Sequence, residues 1–296
     1  MPDSLTSTYA RPNDVVRAPL GVEPLDLSDA SSVLTETCSA LALSLQEGDL
    51  DAAERLFAFV VDLSADRRAA VTDVLTPMLL GTGGRPLLTP SEAATPATHE
   101  LLQRLRRPVS TVGSKGVLLH CADDGLMRLM LELTALLLDD AHVPVHLRLG
   151  LAMDSVVRTA TNASVAAVAF GATSQQQVAH AELAIRQLRR GGVGVVVAAD
   201  PELVAPEAAR SVGASAAAWQ PGEIADVVLR LRGPLSRGEA EVLRLASDGY
   251  TNVRIAHELD VSLSAVKARL EASYAKLNAA DRTHAVAIAM RQHWIQ

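Results

Sequence analysis

The side chains best placed to do chemistry in this 296-residue chain lie near its carboxyl end, and that chemistry is recognition rather than bond making. On a helix starting near Leu263, the side chains of Ser264, Lys267, Ala268 and Glu271 share one face, while Val266 and Leu270 turn to the other. Lys267 has the reach for a guanine edge or a phosphate, and Ala268 is small enough to touch a thymine methyl. Arg269 beside them suits a backbone phosphate. Thr251 and Asn252, at the start of the preceding helix, offer backbone amides and polar side chains to another phosphate. Lys276 and Arg282 complete the set, although Arg282 serves equally well in a salt bridge that closes a fourth helix. Glu271 either accepts from a cytosine amine or repels phosphate.

These residues need a scaffold, and the spacing of apolar residues supplies one. Between Pro234 and Trp294 four segments repeat at helical period: Val242, Leu243 and Leu245; Ile255, Ala256 and Leu259; Val266, Leu270 and Leu277; Val286, Ile288 and Ala289. Asp248-Gly249 stops the first, and Asp260-Val261-Ser262 makes a tight corner between the second and third, with Ser262 as cap. Helix, three-residue turn and helix is the geometry that presents a second helix to the major groove of DNA.

At fixed spacing over this whole segment, Leu235-Ser236, Glu239, Glu241-Val242-Leu243, Leu245-Ala246, Gly249, Thr251-Asn252, Ile255-Ala256, Leu259, Val261-Ser262, Val266-Lys267, Lys276-Leu277, Arg282 and Ala285-Val286 resemble the LuxR-type helix-turn-helix regulators. The resemblance implies double-stranded DNA as partner and transcription regulation as function. The chain departs from that pattern at Gly238, Arg254, Ala265, Arg269 and Glu271. From Gly233 onward, eight Lys and Arg face seven Asp and Glu, so the module is nearly neutral. Phosphate contacts supply non-specific affinity. A single copy should therefore bind poorly, and a homodimer is expected.

The whole chain carries a net charge of −7, 49% hydrophobic residues and few aromatics, enough for two or three globular units with real cores. Only Cys38 and Cys121 are present, with no signal peptide and no 18-residue apolar span, which places the expectation in the cytoplasm and away from membranes. Residues 1–27 read as a disordered tail. Residues 28–107 read as a four-helix bundle. Its stripes are Leu34, Cys38, Leu41 and Leu45; Leu50, Leu56, Phe57, Val60 and Val61; Val71, Val74, Leu75, Met78 and Leu79; and a fourth helix from Glu92 or Thr98 to Arg106. In residues 115–232 short apolar runs near Val117, Val145, Ala167, Val195 and Ala216 alternate with helical stretches at Leu126–Leu138, Met153–Asn162, Gln175–Arg190 and Leu203–Val212, the pattern of a doubly wound parallel sheet of flavodoxin or Rossmann type. The fold class is therefore multidomain, α and α/β, with an all-α module at residues 233–296.

Ligands of such sheets sit beyond the carboxyl ends of the strands, which selects Asp123, Gly125, Met127, Met130, Gly171, Thr173 and Asp200 as a candidate pocket for a small-molecule effector. The two methionines serve equally as core. A helical bundle followed by this unit, with Gly48 to Ala53, Pro77 closing the third helix, Gly150 and Gly213-Ala214, resembles the cobalamin-binding module of corrinoid enzymes and light-sensing regulators. That resemblance implies a cobalt-ligating His in an Asp-x-His-x-x-Gly motif, and the matching positions hold Gly125, Met127 and Met130. Thioether is a poor substitute for imidazole on cobalt(III), so no cobalamin is expected in the family's manner. Two alternatives follow: a corrinoid or other small-ligand sensor using a non-His ligand, and an atypical, unphosphorylated response regulator. The latter has Asp123-Asp124 after the first strand, but Phe170-Gly171 and Trp219-Gln220 where a phosphoacceptor Asp and a Lys belong. His120 and Cys121 are either metal donors or strand-end core. No catalytic constellation stands out, and an enzyme is not expected.

Overall fold

The computed structural model describes residues 27–81, 88–107, 109, 115–122, 125–163, 165–292 and 294–295. The expected tail, except Leu27, and the carboxylates Asp123 and Asp124 lie outside the described residues.

α1 (Leu27–Glu47) and α2 (Leu50–Leu63) form a hairpin. Gly48 takes the left-handed conformation that ends α1, at φ 76°, and the Asp49 carboxylate accepts from Ala52 N at 2.9 Å to start α2. Cys38, Leu41 and Leu45 of the first predicted stripe share a core with Phe57 and Val60 of the second and with Ala53, while Leu34, Leu50, Leu56 and Val61 pack partly buried against it. The third helical stretch is less regular. α3 (Arg67–Ala69) passes through a π-helical turn, Ala70–Leu75, into α4 (Thr76–Leu80). Pro77 was expected to close this helix, but the helix runs through it to Gly81, which closes it at φ 71°. Pro77 lacks the N–H that would bind the carbonyl four residues back, and its ring crowds that carbonyl. The helix relaxes by widening: the Thr76 N–H reaches back five residues to Val71 O. The predicted fourth helix is two, α5 (Pro90–Ala93) and α6 (Pro96–Arg104), because Thr95 caps a new start and Pro96 fits the first turn.

Five parallel strands follow, β1 (Val117–Cys121), β2 (Val145–Leu149), β3 (Ala167–Gly171), β4 (Gly194–Ala198) and β5 (Ala216–Ala218), in the order β2-β1-β3-β4-β5. Helices α7 (Leu126–Asp140) and α11 (Pro221–Arg232) cover one face; α8 (Met153–Asn162), α9 (Gln175–Arg190) and α10 (Pro206–Ser211) cover the other. Alternate strand residues divide accordingly. Leu119 and Ala169 join the core shared with α7, while Leu118, Val168 and Phe170 join that of α8 and α9.

α7 is buried on every side, Leu129 through Asp139 without a break, because the sheet covers one flank and α3, α4 and α6 the other. Its polar residues are accordingly paired. Glu132 accepts from Arg128 Nε at 3.0 Å and meets His99 Nδ1 at 2.6 Å, Asp139 is held by Arg106, and Asp140 by Arg67. Among the described residues no helix is long and apolar enough to cross a membrane.

Beyond α11 the chain turns at Gly233, φ 73°, into the carboxyl-terminal helices. Trp294 folds back over this turn: a Cβ on Gly233 would fall 2.6 Å from Trp294 Cδ1, and the indole N–H donates to Arg230 O at 3.3 Å.

Candidate nucleic-acid interface

Four helices build the carboxyl-terminal module, α12 (Arg237–Ser247), α13 (Asn252–Glu258), α14 (Leu263–Leu277) and α15 (Arg282–Arg291). Each start is set by a short polar side chain. Ser236 and Glu239 form a reciprocal capping box, with Ser236 N donating to Glu239 Oε2 at 2.7 Å. The Thr251 hydroxyl accepts from Arg254 N, Ser262 from Ala265 N at 3.1 Å, and Asp281 from His284 N at 2.8 Å. Asp260 and Asn278 take left-handed conformations at the ends of α13 and α14, which makes the corners tight. Val242, Leu243, Ile255, Val266, Leu270, Leu277, Ala285 and Ala289 form the common core.

On α14, Val266 and Leu270 are buried, and Ser264, Lys267, Ala268 and Glu271 are exposed on the opposite face. Among the described residues Lys267 makes no ion pair, so its ammonium is available to an incoming partner. Thr251 is exposed and Asn252 half-buried at the start of α13, beside that face.

Two residues grouped with this face are employed elsewhere. Lys276 Nζ donates to both carboxylate oxygens of Glu239, at 2.9 and 2.8 Å. Burial opposes ionisation of Glu239, but the bonds from Lys276 and from the Ser236 N–H and hydroxyl outweigh it and hold this carboxyl below its ordinary value. Arg282 is spent on the backbone that joins α12 to α13. It donates to Ala246 O at 3.0 Å, Tyr250 O at 2.5 Å and Asn252 Oδ1 at 3.3 Å. The closing role, of the two open to Arg282 from sequence, is the one this geometry describes, with carbonyls in place of a carboxylate.

Residues 233–289 match the family model of bacterial regulatory proteins, luxR family. The carboxyl-terminal module is a LuxR-family helix-turn-helix domain. Two curated relatives share it: the HTH-type transcriptional regulator MalT of Vibrio cholerae serotype O1, 45% identical over 53 residues, and the transcriptional regulatory protein DegU of Brevibacillus brevis, 39% identical over 62. These matches cover 18% and 21% of this chain, and the chain spans only 6% of MalT and 26% of DegU. Among solved structures, a cobalamin-binding protein from Desulfitobacterium hafniense aligns with 66% of this chain and 98% of its own at 13% identity and TM-score 0.38. A complex of the response regulator RcsB with DNA aligns over 60% and 98% at 13% identity and TM-score 0.29. Both likenesses are remote.

Within the LuxR-family domain, two departures from the pattern prove to be one adjustment. A Cβ on Gly238 would lie 3.1 Å from Arg269 Cζ, so the Arg269 guanidinium occupies the space over the bare backbone at the start of α12. Sequence reasoning missed a further cation. Arg254 Cζ sits 3.9 Å above the Tyr250 ring, at the exposed start of α13. An aromatic and a basic residue four apart across a helix start was the available signal.

The carboxyl end of the sheet is differently furnished. A Cβ on Gly171 would fall 2.5 Å from Met127 Cγ and 2.9 Å from Cys121 Cβ, so the Met127 side chain already fills the space beside β3. Met127 and Met130 are both buried. Thr173 N donates to Gln177 Oε1 at 2.7 Å, and Asp200 Oδ1 accepts from Glu202 N at 2.8 Å, each a local turn bond. Gly125 leads into α7, and Asp123 lies outside the described residues. The structure thus gathers Gly171 and Met127 but not an open pocket between them, and the core role of the two methionines is the one it describes. His120 and Cys121 point to opposite faces of the sheet, as successive strand residues must, and cannot share a metal. His120 instead meets Arg148 O at 2.9 Å through Nδ1 and stacks on Phe170; burial lowers its pKa, which keeps the ring neutral.

Proposed function

We propose that this chain is a DNA-binding transcriptional regulator, in which the LuxR-family domain at residues 233–296 reads double-stranded DNA as part of a homodimer. The observation that carries the proposal is the exposed face of α14, with Lys267 unpaired and Ser264, Ala268 and Glu271 around it. On this proposal α14 enters the major groove, and Lys267 and Ala268 meet base edges while Arg269, Thr251 and Asn252 meet phosphates. Lys276 and Arg282 support the interface by holding α12, α13 and α14 together. The near balance of charge in the domain is why two copies are needed, since each makes few phosphate contacts.

Residues 28–107 and 115–232 form the sensory or dimerisation part and work without cobalamin held in the family's manner, because Gly125, Met127 and Met130 stand where the cobalt-ligating motif belongs. A ligand or partner that binds one arrangement of the dimer better than another would change the spacing of two α14 helices and so the affinity for an operator. We propose no enzymatic activity. The test is a fluorescence-anisotropy titration of duplexes from upstream of the protein's own gene, at several salt concentrations. Binding that weakens steeply with salt and saturates at two chains per duplex is expected. A chain that ignores all such duplexes at low ionic strength would overturn the proposal.

A further inference from the structure

The two ends of the sheet differ in a way that locates a ligand site. At the carboxyl end Met127 fills the space beside Gly171, whereas at the amino end, where β1, β3 and β4 begin, a cavity of about 560 Å³ opens against α12 and the residues after α15. That volume is in the range of small-molecule sites, roughly 300–1,000 Å³. Its apolar lining comes from both sides of the junction: Val157 of α8, Leu188 of α9 and Val193 from the sheet side, and Ile295 from the carboxyl-terminal side. Trp294 completes it. The indole N–H is already committed to Arg230 O, so Trp294 offers the cavity a ring rather than a donor. The charged side chains at the cavity are Lys115, Glu241 and Arg244. Among the described residues Arg244 pairs with Asp248, at 3.3 Å and exposed, an attachment weak enough to exchange for a better anion.

We propose that this cavity is the effector site, and that its ligand is a compact amphipathic organic anion, a carboxylate or sulfonate on an apolar, ring-bearing body. The apolar lining and Trp294 take the body, and Arg244 takes the acid. A ligand held there touches α8, α9, α12 and the Trp294 cover of Gly233 at once. It binds only while the LuxR-family domain is docked, and therefore stabilises that arrangement. The site deepens the regulator proposal and rests on it only for the consequence at DNA.

The test uses the full chain carrying Trp219→Phe, which leaves Trp294 as its single indole, since the chain has 2 tryptophans. The probes are 8-anilino-1-naphthalenesulfonate and its uncharged analogue N-phenyl-1-naphthylamine. One saturable sulfonate site per chain is expected, quenching Trp294 by energy transfer and binding about tenfold tighter than the neutral probe. Thr161 is exposed on α8 and lines the cavity, so Thr161→Phe should fill the space and reduce sulfonate affinity without changing the unfolding temperature. Arg244→Gln should weaken the sulfonate about fivefold, the scale of one exposed ion pair, and leave the neutral probe unchanged. Binding that survives Thr161→Phe, fails to quench Trp294, or does not distinguish the two probes would overturn the site. These measurements contain no DNA, so they fail or succeed independently of duplex binding. With duplex present, a saturating sulfonate probe should shift operator affinity in the parent chain and not in Thr161→Phe, and an equal response in both would overturn the effector role.

Discussion

Lys267 and Lys276 stand on the same helix and are employed in opposite ways. The first projects unpaired from the exposed face of α14, and the second is bound by Glu239 of α12. Replacing Lys267 with Ala should remove about 1–3 kcal/mol of discrimination, bringing operator affinity towards that for a scrambled duplex; anisotropy titrations on the two duplexes measure the difference. Arg269→Ala should weaken both duplexes alike and reduce the salt slope by about one unit. Equal loss of discrimination from the two substitutions would contradict this division of roles. Arg282→Ala should act through stability, because it strips partners from Ala246 O, Tyr250 O and Asn252 Oδ1. A cost of about 1–3 kcal/mol is expected in denaturant unfolding, with DNA binding restored where the domain remains folded. The outward face of α14 was legible in the sequence because helical period alone decides which side chains diverge from Val266 and Leu270. The fates of Lys276 and Arg282 were not, since their partners arrive from α12 and the α12–α13 turn, far away along the chain.

At the scale of elements, the start of α12 links capping to pH. Glu239 is ionised in the fold below the ordinary carboxylate range, because Lys276 and Ser236 bind its charged form. A depressed carboxyl contributes stability at pH values above its unfolded value of 4.5, and that contribution is lost as pH falls through the folded value. Glu239→Gln should therefore melt below the parent chain at neutral pH, and the gap should close as the pH is taken below about 4.5, as followed by circular dichroism. A gap independent of pH would show that the carboxylate acts by shape alone. Strand and helix alternation was readable from apolar runs, and α8 and α9 fall on their expected spans because Ser174 and the turns around them are strong local signals. The third stretch was misread because Pro77 usually ends a helix. Here packing of Val71, Leu75, Met78 and Leu79 into the shared core keeps the helix running, and the backbone absorbs the proline as a π-helical turn.

At the scale of the whole molecule, the attachment of the LuxR-family domain depends on a few residues around Gly233. Trp294→Ala should loosen that attachment while leaving each core intact, and trypsin should then cut after Arg232 faster than in the parent chain, with no change in secondary structure. Unchanged cleavage would mean that Trp294 is only a cover. No pattern in the sequence announced this junction or its cavity, because both arise from surfaces brought together by the order of the sheet. The packing of Met127 against Gly171 was equally hidden, for a methionine near a glycine in space is not near it along the chain. α7 carries a last consequence. With Leu129 to Asp139 enclosed between the sheet and the amino-terminal helices, it has no flank suited to water. A fragment beginning at Lys115 would bare the side of α7 that carries Glu132 and Asp139, strip Glu132 of His99 and Asp139 of Arg106, and clump. Recombination during evolution can exchange the reader at the far end of the chain, but it must pass on the helices and the sheet as a single heritable unit.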